Sequence, residues 1–84
     1  METAGAASRW VEVMGPAYEA HCAAVEAGVP TFLDEYGAGD PTEFFAVITE
    51  SFFERPRELR SRHPALYDQL RALYGQDPAA RTVP

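Results

Sequence analysis

The sequence predicts an all-α fold built from three main helices. Apolar residues recur at three-to-four spacing in three separate stretches, the period of an amphipathic helix. Boundary residues flank those stretches: Ser8, Asp40-Pro41 and Pro64 at the starts, and Gly28, Pro56 and Gly75 at the ends. The chain is 46% hydrophobic and 12% aromatic, too apolar for a disordered segment and enough to give the helices buried faces. With 84 residues it is one small domain or a piece of a larger one. A domain of that size is marginal without a disulfide, a metal or a partner.

Residues 1–7 are small and weakly patterned, so a loose start is expected there, with Ser8 capping the first helix. Trp10, Val13, Met14, Ala17, His21, Ala24 and Val25 form its apolar side, and Glu12, Glu19 and Glu26 its polar side. Pro16 lacks a backbone donor and crowds the preceding turn, so a kink or restart is expected at Gly15-Pro16. Gly28 provides the stop.

Residues 28–40 read as a loop around Phe32-Leu33, long for so small a domain and therefore a candidate for function. The second helix has a strong start: Asp40 at the N-cap, Pro41 at the first helical position and Glu43 where a capping box requires it. Pro56 ends it. Residues 57–62, RELRSR, read as a charged connector of at most one helical turn. Pro64 opens the last helix, with Leu66, Tyr67, Leu70, Leu73 and Tyr74 on one face, and Gly75 closes it. Residues 76–84 read as a loose, polar tail.

Charge and motif content exclude several classes. The net charge is −6 and all seven cations are arginine, so there is no basic footprint for nucleic acid. No apolar run is long enough to span a bilayer, and no export signal precedes the first helix, so a soluble cytoplasmic chain is expected. The lone Cys22 has no internal disulfide partner and reads as a small core residue. No glycine motif cradles a phosphate, and neither histidine is placed by sequence to serve a serine or cysteine nucleophile.

On a wheel of the second helix, Phe44, Phe45, Ile48 and Phe52 cover one arc, while Glu43, Glu50 and Glu54 lie opposite with Val47 among them. Glu50 and Glu54 are like charges one turn apart, which costs about 0.2–0.5 kcal/mol in an isolated helix. Two readings fit this stripe. One is a solvated acidic face, with Glu43 as half of a capping box. The other makes one glutamate a metal ligand.

The run from Tyr36 through Gly37-Ala38-Gly39-Asp40-Pro41-Thr42-Glu43-Phe44-Phe45-Ala46 to Phe53 resembles the C-terminal signature of the bacterial MtfA-type zinc peptidases, the Mlc titration factor A family. His63-Pro64-Ala65-Leu66-Tyr67, Tyr74 and Gln76-Asp77-Pro78 also resemble that family, and the resemblance extends from about Trp10 to Arg81. The catalytic domain of anthrax lethal factor has a similar Tyr-Gly followed by Glu-Phe-Phe-Ala. The central motif is the specific part, and the flanking helices are less so.

The resemblance implies the C-terminal subdomain of a gluzincin-like zinc peptidase, which hydrolyses peptide bonds with zinc-activated water. It makes Glu43 the glutamate that completes the zinc site beside two histidines of an HExxH helix. It makes Tyr36 a tyrosine beside the metal, placed to assist the carbonyl oxygen. Glu50, two turns from Glu43 on the same side, is a candidate to support the metal ligand on position alone. His21 and His63 do not form an HExxH pair. His21 reads as a satisfied core or interface residue and His63 as a helix-start residue. The expectation is therefore a fragment without its HExxH part, inactive alone, that takes a peptide as substrate. The alternative is a small helical interaction module without catalysis. By resemblance, a transcriptional repressor is a candidate partner of either.

Overall fold

The computed structural model describes residues 3–80 and is all-α, with no strand among the described residues. Helix α1 spans Thr3–Glu26, α2 Pro41–Glu54, α3 Pro56–Arg62 and α4 Pro64–Tyr74. Short 3-10 turns cover Glu35–Ala38 and Pro78–Ala80. The molecule is a slab of 39 × 37 × 18 Å, thin enough that both broad faces meet solvent. No helix of the described residues is long and apolar enough to cross a membrane.

The slab is organised around α2. Ile48 and Phe52 are completely buried, as are Leu59 of α3 and Leu70 of α4. Leu66 and Tyr67 of α4 and Leu33 of the stretch between α1 and α2 complete the core with Phe44, Val47 and Ala79. The Phe52 ring lies 5.1 Å from Tyr67 and 5.7 Å from Tyr74, centroid to centroid. Helix α1 packs on one side through half-buried Trp10, Val13, Met14, Ala17 and Tyr18. From Ser8 onward, the buried side chain of α1 is His21. Glu12, Glu19 and Glu26 face solvent as the pattern requires.

Local signals explain most boundaries. Asp40 Oδ1 accepts the Glu43 amide at 2.9 Å and Pro41 occupies the first position of α2. Gly28 and Gly75, with φ of 75° and 65°, take the left-handed conformation that ends α1 and α4. The chain after α1 closes with Val29 N–H to Ala24 O and Gly28 N–H to Val25 O, a paired terminus that satisfies two of the last carbonyls.

Five sequence expectations need correction. Helix α1 starts at Thr3, so Ser8 lies inside it and the helix covers most of the stretch expected to be loose. Residues 1–2 lie outside the described residues. The helix also runs unbroken through Pro16. Gly15, Pro16 and Glu12 are all exposed, so the carbonyl that loses its partner faces water.

On α2, Val47 is buried and Phe45 exposed, the reverse of the wheel's assignment. The 35–38 turn lies on the Val47 side and covers it. The expected connector is helix α3, anchored by Leu59 and carrying an Arg62–Glu58 pair at 3.3 Å one turn apart. Residues 76–80, expected to be loose, are docked. The Tyr67 hydroxyl donates to Asp77 and accepts the Ala79 amide at 2.9 Å, which holds Ala79 in the core. Residues 81–84 lie outside the described residues.

Candidate metal centre

The 35–38 turn and the first turn of α2 form one small constellation. Asp34 begins it: its side chain accepts the Tyr36 amide at 2.9 Å, and its carbonyl accepts the Gly37 amide at 3.0 Å. Gly39 N–H then closes back onto Tyr36 O at 3.1 Å. Gly37 is buried under this turn, where a Cβ would lie 3.3 Å from Val47 Cβ and 3.4 Å from His21 Nε2. A side chain at position 37 would therefore need Val47 and the turn to give by a few tenths of an ångström.

Glu43 stands at the third position of α2, half-buried, near the positive end of the helix dipole. Its carboxylate lies against Gly39 and within hydrogen-bonding reach of the Tyr36 phenol. Hydrogen bonding to Glu43, and then the Glu43 charge, push the Tyr36 pKa above its ordinary value; desolvation and the Asp40 charge add to the rise. The two residues singled out in sequence are thus side by side. Tyr36 remains 64% exposed, so its hydroxyl is open to an incoming molecule.

The structure does not bring Glu50 to this pair. It is exposed, and seven residues along α2 amount to roughly 10 Å of helix rise. His21 is a satisfied core histidine, as expected, with Nε2 at 2.9 Å from Asp34 O. His63 does stand at the start of α4, but no side-chain hydrogen bond caps that helix. It lines a cleft of about 460 Å³ with His21, Phe32 and Arg62. Burial, then the neighbouring His21 and Arg62 charges, lower the His63 pKa. Phe32 on the same cleft is flanked by the Arg55 and Arg62 guanidinium groups at 4.5 and 5.5 Å from its ring centre.

Sequence reasoning missed Tyr18 and the position of Cys22. Cys22 is half-buried, not a core residue, and its thiol reaches the Ala38 carbonyl at 3.7 Å. The Tyr18 phenol stands near the Cys22 thiol, and its ring meets Phe44 edge-on at 5.5 Å. Hydrogen bonding with Cys22, then desolvation, raise the Tyr18 pKa, and the Cys22, Asp40 and Glu43 charges add to the rise. Their spacing puts residues 18 and 22 one turn apart on the face shared with His21, but does not show that the 35–38 turn lies against that face.

Chemically, the constellation offers one carboxylate oxygen donor and one phenol donor beside it. A hydrolytic zinc site takes three protein ligands and leaves a position for water. Among the described residues no group of three or more His, Cys, Asp or Glu side chains could hold a metal ion. Glu43 therefore fits one ligand position of such a site and not a complete one.

Comparison with known proteins bears on that incomplete site. The sequence model of the family described as glucose-regulated metallo-peptidase M90 matches residues 1–75. An uncharacterized protein of Synechocystis sp. is 43% identical over 70 residues, which is 83% of this chain and 26% of that protein. Mlc titration factor A of Serratia proteamaculans is 47% identical over 49 residues, covering 58% of this chain and 19% of the relative. Mlc titration factor A of Yersinia enterocolitica is likewise 47% identical over 49 residues, covering 18% of its length. The chain thus spans about a quarter or less of these relatives. No solved structure matches.

Proposed function

Because the chain belongs to the glucose-regulated metallo-peptidase M90 family, we propose that it is the C-terminal part of a zinc-dependent peptidase. In this reading Glu43 holds the metal together with two histidines of an HExxH segment contributed from outside the described residues. Bound zinc supplies Lewis acidity, which activates water and polarises a peptide carbonyl. Tyr36 stands beside Glu43 with its hydroxyl exposed, and donates to the oxygen on which negative charge develops.

The observation that supports the reading is the Tyr36–Glu43 pair, brought together where the 35–38 turn meets the first turn of α2. The substrate is a peptide, and the setting is cytoplasmic. The lone thiol Cys22 suits a reducing compartment. The relatives' name points to Mlc, and a transcriptional repressor is the partner it suggests for this chain.

A second reading rests on a different observation. Trp10, Met14, Tyr18, Phe44, Phe45 and Ile48 line an open apolar groove of about 470 Å³ between α1 and α2. Such a surface also suits a helical interaction module that binds a protein without catalysis.

One experiment separates the two. Zinc content and peptide hydrolysis are measured for the chain alone and for a fusion to the HExxH-bearing N-terminal half of a relative. The peptidase reading expects zinc at one per molecule and turnover only in the fusion. A folded fusion that stays metal-free overturns it and leaves the interaction module.

A further inference from the structure

Two consecutive residues of α1 reach opposite ends of the turn that carries Tyr36. His21 Nε2 lies 2.9 Å from the Asp34 carbonyl, the residue that starts the turn. A carbonyl only accepts, so the ring carries its proton on Nε2 and donates it. Cys22 Sγ donates to the carbonyl of Ala38, the last residue of the turn, at 3.7 Å. Successive helical residues point about 100° apart, which lets the two side chains straddle a four-residue turn.

The contacts are complementary to the turn's own bonding. The Asp34 carbonyl also accepts Gly37 N–H, so both of its lone pairs are occupied. A 3-10 turn of this length has poor hydrogen-bond geometry and persists where its surroundings hold it. Here α2 holds it from below through Val47 against Gly37, and α1 holds its two ends. Tyr18, one turn before Cys22, packs its ring on Phe44 at the same end.

We infer that His21 and Cys22 are positioning residues for Tyr36, clamping the ends of its turn so that the phenol stays beside the Glu43 carboxylate. The value of this clamp for catalysis rests on the reading of Tyr36 proposed above; the clamp itself does not.

Amide hydrogen exchange of the full 84-residue chain tests it. His21→Ala and Cys22→Ala are expected to speed exchange at Tyr36, Gly37 and Gly39 by about tenfold, the size of one lost hydrogen bond, leaving the helix-centre amides of Phe52 and Leu70 unchanged. His21→Gln and Cys22→Ser, which restore a donor, are expected to recover most of the protection. Unchanged exchange over 36–39, or an increase shared equally by Phe52 and Leu70 that the conservative variants do not rescue, overturns the clamp. If His21→Ala fails to fold, the Cys22 pair and His21→Gln decide. In a zinc-loaded, active fusion the same alanine variants are expected to lower kcat with KM and zinc content unchanged. A fusion without activity counts against the peptidase reading alone, because the exchange result stands apart from it.

Discussion

The Glu43 carboxylate occupies the space that a side chain at Gly39 would take. A Cβ on Gly39 would fall 1.9 Å from Glu43 Oε1 and 3.3 Å from the Tyr36 carbonyl oxygen. The Gly39 backbone is right-handed helical at φ −66° and ψ −46°, so its torsions suit any residue. Glycine is needed here for the carboxylate and not for the chain. Gly39→Ala is therefore expected to fold with unchanged or slightly raised stability, the ordinary gain being about 0.4–1 kcal/mol. The displaced carboxylate is expected to bind zinc more weakly in the fusion. Circular dichroism melting and metal titration read the two effects separately. Unfolding without a change in metal affinity would contradict this account.

Glu43→Gln and Tyr36→Phe should part company. The amide keeps the size of Glu43 and loses its charge, so zinc affinity in the fusion is expected to fall roughly 100-fold or more, beyond what changes behind a ligand cost. Tyr36→Phe removes one donor to the developing oxyanion, which is expected to lower kcat by about 10²–10³ with zinc retained. Metal analysis with single-substrate kinetics makes the distinction. Loss of zinc from Tyr36→Phe would make the phenol a ligand.

Tyr67→Phe should release the C-terminal segment. The hydroxyl both donates to Asp77 and accepts the buried Ala79 amide. Removing it is expected to cost about 1–3 kcal/mol in urea unfolding. Burial, and then the Asp77 hydrogen bond, raise the Tyr67 pKa. Because the folded value lies above the unfolded value of about 10, its stabilisation is complete below that pH and lost as pH rises through the folded value. The alkaline loss of stability should thus be smaller in Tyr67→Phe than in the parent.

His63 gives the opposite end of the pH scale. Burial is the first cause of its lowered pKa, with the His21 and Arg62 charges behind it. A depressed folded value means stabilisation present above the unfolded value of about 6.5 and lost as pH falls through the folded one. Melting temperatures at pH 7.5 and 5.5 are expected to differ less in His63→Gln than in the parent. An equal difference would remove His63 as the source.

Short-range chemistry made much of this fold legible. Asp40, Pro41, Gly28 and Gly75 mark boundaries through contacts within one turn, and each stands where its chemistry predicts. The exchange of Val47 for Phe45 in the core was not legible. A wheel ranks directions around one helix but does not say which neighbour covers them, and the cover here is a turn of four residues centred on Gly37. The same limit hid α3, whose single buried anchor Leu59 is too short a pattern to count. Tyr36 and Glu43 were found by resemblance. Nothing in their spacing of seven positions shows that a turn folds one onto the other. Tyr18 and Cys22 went unread because their importance lies in what they touch across the chain.

The joints between α2, α3 and α4 have a consequence for how this chain can vary in length. Arg55 and His63 are each the whole connection between two helices, each followed by proline, with nearly equal torsions of −135°, 58° and −138°, 67°. Proline disfavours the helical conformation in the residue before it, so each joint favours a corner. An extra residue inserted at either corner would change the angle between the helices it joins and misalign Leu59, or Leu66, Tyr67 and Leu70, with the core. The stretch 27–34 has no such gearing. Insertions and deletions among natural variants should collect there and avoid residues 54–64, a pattern that random-insertion libraries would reproduce.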